Sequence, residues 1–304
     1  MQQADKIPKI GVVYPGPQAG APPRVQALLD GLRAGGHPQV DIVLQVADGD
    51  PSRITPLVKD AIASNVDVLF AIGPAVVRAA PSATQGIPIV GIDLESDPVD
   101  NGWVASFAHP GGSTAGVFMA FPDFATKWLG LLKDTLPQLS HVAVLWDTST
   151  GLLQKKAIEL AAKASKLRLE TMEVRTPSDL DGAFNSAKQA GADALIMLSS
   201  PLISANVRKE AELAILHNLP AITLFPDFAR SGGLMAYGPN LLGAFRDAGG
   251  MIAKVLQGRK PADLPIQQPT TFELTDGVAL SVQRLMTGSA LPPVVCLMNS
   301  IEEV

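Results

Sequence analysis

One phrase occurs twice in this chain, and its recurrence limits the folds open to it. Val66–Val76 reads VDVLFAIGPAV, and Ala192–Leu202 reads ADALIMLSSPL. Each is an apolar run with Asp at its second position, and each ends in a loop of small residues and proline. Each is followed by a proline-containing apolar run, IPIVGID (Ile87–Asp93) and LPAITLF (Leu219–Phe225). A chain that restates a strand–loop–helix–strand phrase reads as two lobes built to one plan.

The surrounding pattern agrees. KIGVVY (Lys9–Tyr14) is β-rich. The next segment places Val25, Leu28, Leu29 and Leu32 at helical spacing, with prolines before them and Gly35-Gly36 after. VDIVLQVA (Val40–Ala47) is strand-like. Asp50 and Pro51 then open a helix with a stripe of Ile54, Leu57, Val58, Ala61 and Ile62. VDVLFAI, IPIVGID and WVASF (Trp103–Phe107) complete five strands. The order restarts at HVAVLWD (His141–Asp147) and runs through ETMEV, ADALIML and PAITLF to GLMAYG (Gly233–Gly238), again five strands interleaved with helices.

Apolar strands alternating with helices predict parallel sheets covered on both faces. The expected fold is α/β, two similar Rossmann-like lobes joined by a multi-strand hinge. The helix in PNLLGAFRDAGGMIAKVLQG returns to the first lobe, and the tail goes on to the second. The expected division is 7–117 plus 240–270 for the first lobe and 118–239 plus 271–304 for the second. Crossings fall near 107–120, 236–241 and 268–274, and several crossings make a hinge.

Composition removes several function classes. Of 304 residues, 47% are hydrophobic and 17% charged, so a large core is expected and disorder is not. The net charge is −5 with no long basic run, which argues against nucleic-acid binding. The single cysteine, Cys296, allows neither an internal disulfide nor a cysteine zinc site. No stretch has about 18 uninterrupted apolar residues, so no membrane span is expected. The polar lead MQQADKIPKI fits a cytoplasmic protein with a ragged start or a secreted one whose leader has been removed. YPGPQAGAPP lacks the Gly-Lys-Ser/Thr ending of a phosphate loop, and Ser199 and Ser200 lack a nucleophile elbow. The four histidines have no partners at metal-ligand spacing. No cofactor, metal or catalytic group is expected.

Open parallel sheets bind ligands beyond the carboxyl ends of their strands, and two facing lobes place both sets of ends around one cleft. The first lobe then offers Tyr14, Pro15, Gly73, Pro74, Ala75, Glu95 and Asp97. The second offers Asp147, Ser199, Ser200, Pro201, Phe225 and Asp227, and the crossings add Phe118, Tyr237 and Asn240. Helix starts after Gly73 and Ser200 can hold a carboxylate, since their free N–H groups lie at the positive end of the dipole. Asp93, Glu95, Asp97, Asp147 and Asp227 can receive an ammonium group, and Tyr14, Phe225 and Tyr237 can cover an apolar body. Taken singly, Ser and Asp after a strand are more often caps or turn formers, and loop aromatics more often packing.

The chain resembles the solute-binding proteins of ABC importers, in the family that includes tryptophan- and tyrosine-associated binding proteins. The resemblance spans about residues 7–275. It rests on KIGVVYPG, the stretch Val66–Val99 with its ESDPV, HPGGSTAGVF, KWLGLLKDTLPQLSHVAVLWD, IMLSSPL, GGLMAYGPNLLGAFRDAG and VLQGRKPADLPIQQPTTFEL. After FEL the tail departs from the family, keeping the double proline Pro292-Pro293 and an acidic end. The resemblance implies a type I periplasmic-binding fold, export to the periplasm or another extracytoplasmic space, hinge closure on a small solute and delivery to a membrane permease. A monomer and a small amphipathic solute, an amino acid or an aromatic or aliphatic carboxylate, are expected. The alternatives are the ligand-sensing domain of a regulator or receptor, and an enzyme working at the cleft.

Overall fold

The computed structural model describes residues 7–84, 86–119 and 121–277, with the side chains of 121–123 excepted. The expectations for the tail beyond 277 lie outside the described residues. The first lobe runs β1 (Lys9–Tyr14), α1 (Ala21–Ala34), β2 (Asp41–Val46), α2 (Ile54–Ala63), β3 (Val68–Ile72), α3 (Pro74–Ala83), β4 (Ile89–Asp93) and β5 (Thr114–Phe118). The second runs α4 (Phe121–Thr135), β6 (His141–Asp147), α5 (Leu153–Ala164), β7 (Arg168–Val174), α6 (Asp179–Gln189), β8 (Ala194–Met197), α7 (Pro201–Leu216), β9 (Ala221–Thr223), α8 (Pro226–Arg230) and β10 (Met235–Pro239). Then come α9 (Leu241–Leu256) and β11 (Phe272–Asp276).

The two sheets follow one plan. The first has the order β2-β1-β3-β4-β5, and the second β11-β10-β9-β8-β6-β7. Every pairing is parallel except that of β10 with β11. The repeated phrase is the third strand of each lobe, and its aspartates do the same work. Asp67 Oδ2 accepts the Lys9 N–H at 2.9 Å, and the Asp67 N–H donates to the Lys9 carbonyl at 2.7 Å. Asp193 Oδ2 accepts the His141 N–H at 2.9 Å, and the Asp193 N–H donates to the His141 carbonyl at 2.8 Å. In both lobes the carboxylate binds the amide at the start of the adjacent first strand and fixes the register of the pair.

The fifth strand of the first lobe is not where the sequence pattern puts it. WVASF is irregular, and β5 instead lies within the segment read as a crossing. A Cβ on Gly116 would stand 2.1 Å from the Gly91 carbonyl oxygen, so β4 and β5 approach more closely than side chains allow. That demand selects the weak β-former glycine over the apolar WVASF run, because tertiary fit outweighs propensity in a sheet interior. Trp103 and Phe107 pack as loop residues against the first-lobe core, Trp103 with its ring 6.3 Å from Phe118.

Three stretches connect the lobes. The chain leaves β5 for α4, whose Phe124, Ala125, Trp128 and Leu132 join the second-lobe core. It returns after β10 through Asn240 into α9, whose Phe245, Ala248, Met251 and Ile252 join the first-lobe core. It crosses again beyond Gln267, which bridges Val117, to reach β11. Helix α9 seats tightly on α1: a Cβ on Gly31 would lie 2.0 Å from the Arg246 carbonyl oxygen, and one on Gly249 2.2 Å from that of Leu28.

Candidate functional site

Between the lobes lies a cleft with about 560 Å³ of space open to solvent. The first lobe contributes Tyr14, Pro15 and Gly16 after β1, Ile72 and Gly73 after β3, and Ile92, Leu94 and Glu95 around the end of β4. The second contributes Ser200, Pro201 and Ser204 at the start of α7 and Phe225 after β9. Arg24 from α1 and Leu241 and Phe245 from α9 complete the wall. The strand ends of both sheets therefore point into one space, the arrangement expected of open α/β sheets.

Local sequence builds the two helix starts on this wall. Gly73 has φ +78°, a conformation that L side chains rarely adopt, and Pro74 follows at the first helical turn. Ser200 is extended, its Oγ accepts the Ile203 N–H at 3.1 Å, and Pro201 follows. The glycines of YPGPQAG serve the tyrosine beside them. A Cβ on Gly16 or Gly20 would stand 2.5 or 2.6 Å from the Tyr14 hydroxyl, so these glycines leave room for the ring. The Arg24 guanidinium sits 5.4 Å from the centre of that ring, and its Nη1 donates to the Gly20 carbonyl at 2.7 Å. Burial pushes the Tyr14 phenol above its ordinary pKa, opposed by the charge of Arg24.

A polar contact joins the lobes at one corner. Ser199 Oγ donates to Glu95 Oε1 at 2.7 Å, and both residues are buried. Ser199 is held from behind by Gln154 of α5, whose Nε2 donates to the Ser199 carbonyl and whose Oε1 accepts the Ser199 N–H, each at 2.8 Å. Beside Glu95, Asp93 is buried, and its Oδ1 accepts the Glu95 N–H at 2.8 Å. Burial, then the neighbouring Glu95, push the Asp93 carboxyl well above the usual carboxylate range.

Seven of the expected residues line the cleft: Tyr14, Pro15, Gly73, Glu95, Ser200, Pro201 and Phe225. Ser199 meets them through Glu95. The others take structural positions. Pro74 is buried, and Ala75 packs on the first-lobe core. Asp97 accepts the Val99 and Asp100 N–H groups in a turn, and Asp147 accepts the Ser149 N–H. Phe118 is fully buried in the first-lobe core, because β5 ends there and no crossing loop exposes it. Asp227 is exposed and pairs with Arg230 at 2.9 Å. Tyr237 stacks on Phe124 and Phe272 at 5.4 and 6.0 Å, away from the cleft. Asn240 caps α9 by accepting the Gly243 N–H at 2.6 Å. Sequence reasoning missed Arg24, Ile72, Ile92, Ser204, Leu241 and Phe245. Ile72 and Ile92 directly precede loops that the strand pattern marks, and Ser204 lies one turn beyond Ser200 on the same helix, so these three carried a usable signal.

Among the described residues no group of three or more His, Cys, Asp or Glu is placed to hold a metal, and no helix is long and apolar enough to cross a membrane.

Residues 9–276 match the family described as ABC transporter substrate binding protein. The chain belongs to this family. Its members are non-catalytic solute-binding proteins of ABC importers, and membership is consistent with a place outside the cytoplasm. The chain is 26% identical over 263 residues to a tyrosine-binding protein of Clostridioides difficile, covering 81% of this chain and 72% of that protein. Among solved structures it is similar to a Streptococcus pneumoniae domain in complex with L-Trp. That likeness has a TM-score of 0.84 at 22% identity, covering 92% of this chain and 95% of that one. It is also similar to a ligand-free, open substrate-binding protein of Clostridium difficile. There the TM-score is 0.69 at 21% identity, covering 95% and 97%. These likenesses carry the type I periplasmic-binding fold of this solute-binding protein, two α/β lobes with parallel sheets.

Proposed function

We propose that this protein captures a small amphipathic solute between its lobes, outside the cytoplasm, and presents the closed form to a membrane permease. The solute class is an amino acid or an aromatic or aliphatic carboxylate. The observation that carries this reading is the composition of the cleft wall. Tyr14, Ile72, Ile92, Leu94, Phe225 and Phe245 offer an apolar surface, with Arg24, Glu95, Ser200 and Ser204 as scattered polar anchors. A sugar site needs hydrogen-bonding groups around the ring's edge for its several hydroxyls, and this wall has few. Closure is supported by the Ser199–Glu95 contact between lobes and by the better superposition on the L-Trp complex than on the open, ligand-free relative. The proposed lobes are 7–117 with 240–270, and 118–239 with the chain from 271. A monomer suits movement about a three-stretch hinge.

A thermal-shift screen of amino acids, aromatic and aliphatic carboxylates and sugars tests the reading. A solute at 100 times its dissociation constant adds about 2.7 kcal/mol to stability. The expected result is a shift of several degrees confined to apolar-bodied amino acids or carboxylates. A shift with sugars alone contradicts the solute class.

A further inference from the structure

A second pocket, with about 780 Å³ of space open to solvent, lies where the three connecting stretches meet. It shares no lining residue with the cleft. Tyr237 lines it from β10, Gln268 from the third crossing and Phe272 from the start of β11, joined by Phe124 and Lys127 of α4. Three rings make one side of it. The centres of Phe124, Tyr237 and Phe272 lie 5.4, 5.8 and 6.0 Å apart in pairs, and Tyr237 stacks within 18° and 19° of its two neighbours. Phe124 is buried, but Phe272 is 38% exposed, an apolar face left to water. Lys127 is half-buried and, among the described residues, is the one charged group on this wall. No described carboxylate pairs with it. Glu273, next to Phe272 in sequence, accepts Asn240 Nδ2 instead. Burial raises the Tyr237 phenol further above its ordinary pKa, so its hydroxyl stays neutral at physiological pH.

The pocket spans the hinge. Gln268 follows Gln267, whose N–H donates to the Gly116 carbonyl and whose carbonyl accepts the Phe118 N–H, each at 2.9 Å, so this wall is fastened to β5 of the first lobe. Phe272 pairs with Pro239, and Trp128 Nε1 of α4 donates to the Tyr237 carbonyl at 2.8 Å, so the ring wall belongs to the second lobe. Movement of one lobe against the other changes the distance between these walls. We infer that this hinge pocket is a second binding site, for a flat aromatic anion that lies against the rings and pairs with Lys127, and that its occupancy favours the arrangement in which Ser199 meets Glu95. The site stands independently of the cleft, while the coupling rests on closure of the cleft around its solute. A ligand that fits the pocket in this arrangement shifts the lobes toward it, and by linkage it tightens solute binding and is tightened by solute to the same degree.

The test uses naphthalene-2-sulfonate as the probe, with neutral 2-naphthylmethanol and cationic 2-naphthylmethylamine as controls. Calorimetry is run on the whole chain, first alone and then with a saturating amount of the solute that gives the largest thermal shift. The inference expects one equivalent of the sulfonate to bind in both cases, more tightly than either control, and about threefold or more tighter with solute present. It expects about fivefold or greater weakening in Lys127→Gln, which removes the charge, and in Phe272→Ala, which removes the exposed ring. Circular dichroism melts check that both variants fold. Without sulfonate, Lys127→Gln should keep solute affinity within about twofold of the parent, which separates the hinge site from the cleft. Sulfonate binding that solute abolishes, that Lys127→Gln leaves unchanged, or that the neutral control matches overturns the hinge site and leaves the cleft reading standing. Lys127-dependent binding with equal affinity in the presence and absence of solute overturns the coupling. Should every solute fail in the thermal screen, the cleft reading falls, and the response of the sulfonate to Lys127→Gln and Phe272→Ala still decides the hinge site.

Discussion

Ser199 donates its hydroxyl to Glu95 across the cleft at 2.7 Å, joining residues 104 positions apart and in different lobes. Gln154 clamps the Ser199 backbone to the second lobe, so the contact transmits the position of one lobe to the other. It forms only when the lobes are near one another, and it reports closure.

Ser199→Ala should therefore favour the open arrangement. The lost hydrogen bond contributes about 0.5–1.5 kcal/mol, enough to shift a closely balanced equilibrium several-fold. Small-angle scattering of the variant without solute should show a larger radius of gyration than the parent. An unchanged radius would mean that the contact follows closure without supporting it.

Asp93 gives a pH dependence with a definite sign. Its carboxyl is raised in the folded protein, so the folded state binds the proton more tightly than the unfolded state. Its contribution to stability is full below the ordinary carboxylate pKa and declines as pH rises from there through the raised folded value. Asp93→Asn should flatten that part of the profile, measured by urea unfolding without solute between pH 4 and pH 8. A variant profile parallel to the parent's would contradict the assignment.

Glu210 of α7 is a second buried acid, with both carboxylate oxygens lacking a partner and its carboxyl pushed well up by burial. It shares α7 with the core residues Ile203, Ala211 and Ala214. Glu210→Met should stabilise the protein at neutral pH by about 1–3 kcal/mol, with a smaller gain at acid pH, where the carboxyl is already neutral. Urea unfolding at the two pH values measures both.

Gly31→Ala should destabilise the protein by about 1–3 kcal/mol or more, because the new methyl would meet the Arg246 carbonyl oxygen at 2.0 Å and push α9 off α1. Since α9 is the returning crossing, the hinge should loosen as well. By contrast, Asp227→Ala removes only an exposed ion pair and should leave solute affinity within about twofold of the parent. Calorimetry with one solute covers both variants.

The lobe plan was legible because it rests on local signals. Asp67 and Asp193 stand at one place in a repeated phrase, and prolines and serines mark where strands give way to helices. Gly73, Ser200 and Phe225 were placed on the cleft wall for the same reason, since a strand's carboxyl end fixes the loop that follows. Arg24, Leu241 and Phe245 were not, because they reach the cleft from helices whose placement depends on the path of α9 back over α1. Phe118 and β5 were misread because the close approach of Gly91 and Gly116 is a property of two strands together, invisible in either alone. Tyr237 looked like a ligand contact, but Phe124 and Phe272, distant in sequence, take up its ring.

The most direct test of the account is small-angle scattering of the parent protein with and without the solute that gives the largest thermal shift. The account predicts that saturating solute contracts the particle, with Ser199→Ala starting from a larger radius and contracting further. Saturable binding with no change in radius in either protein would contradict closure of the two lobes around the solute.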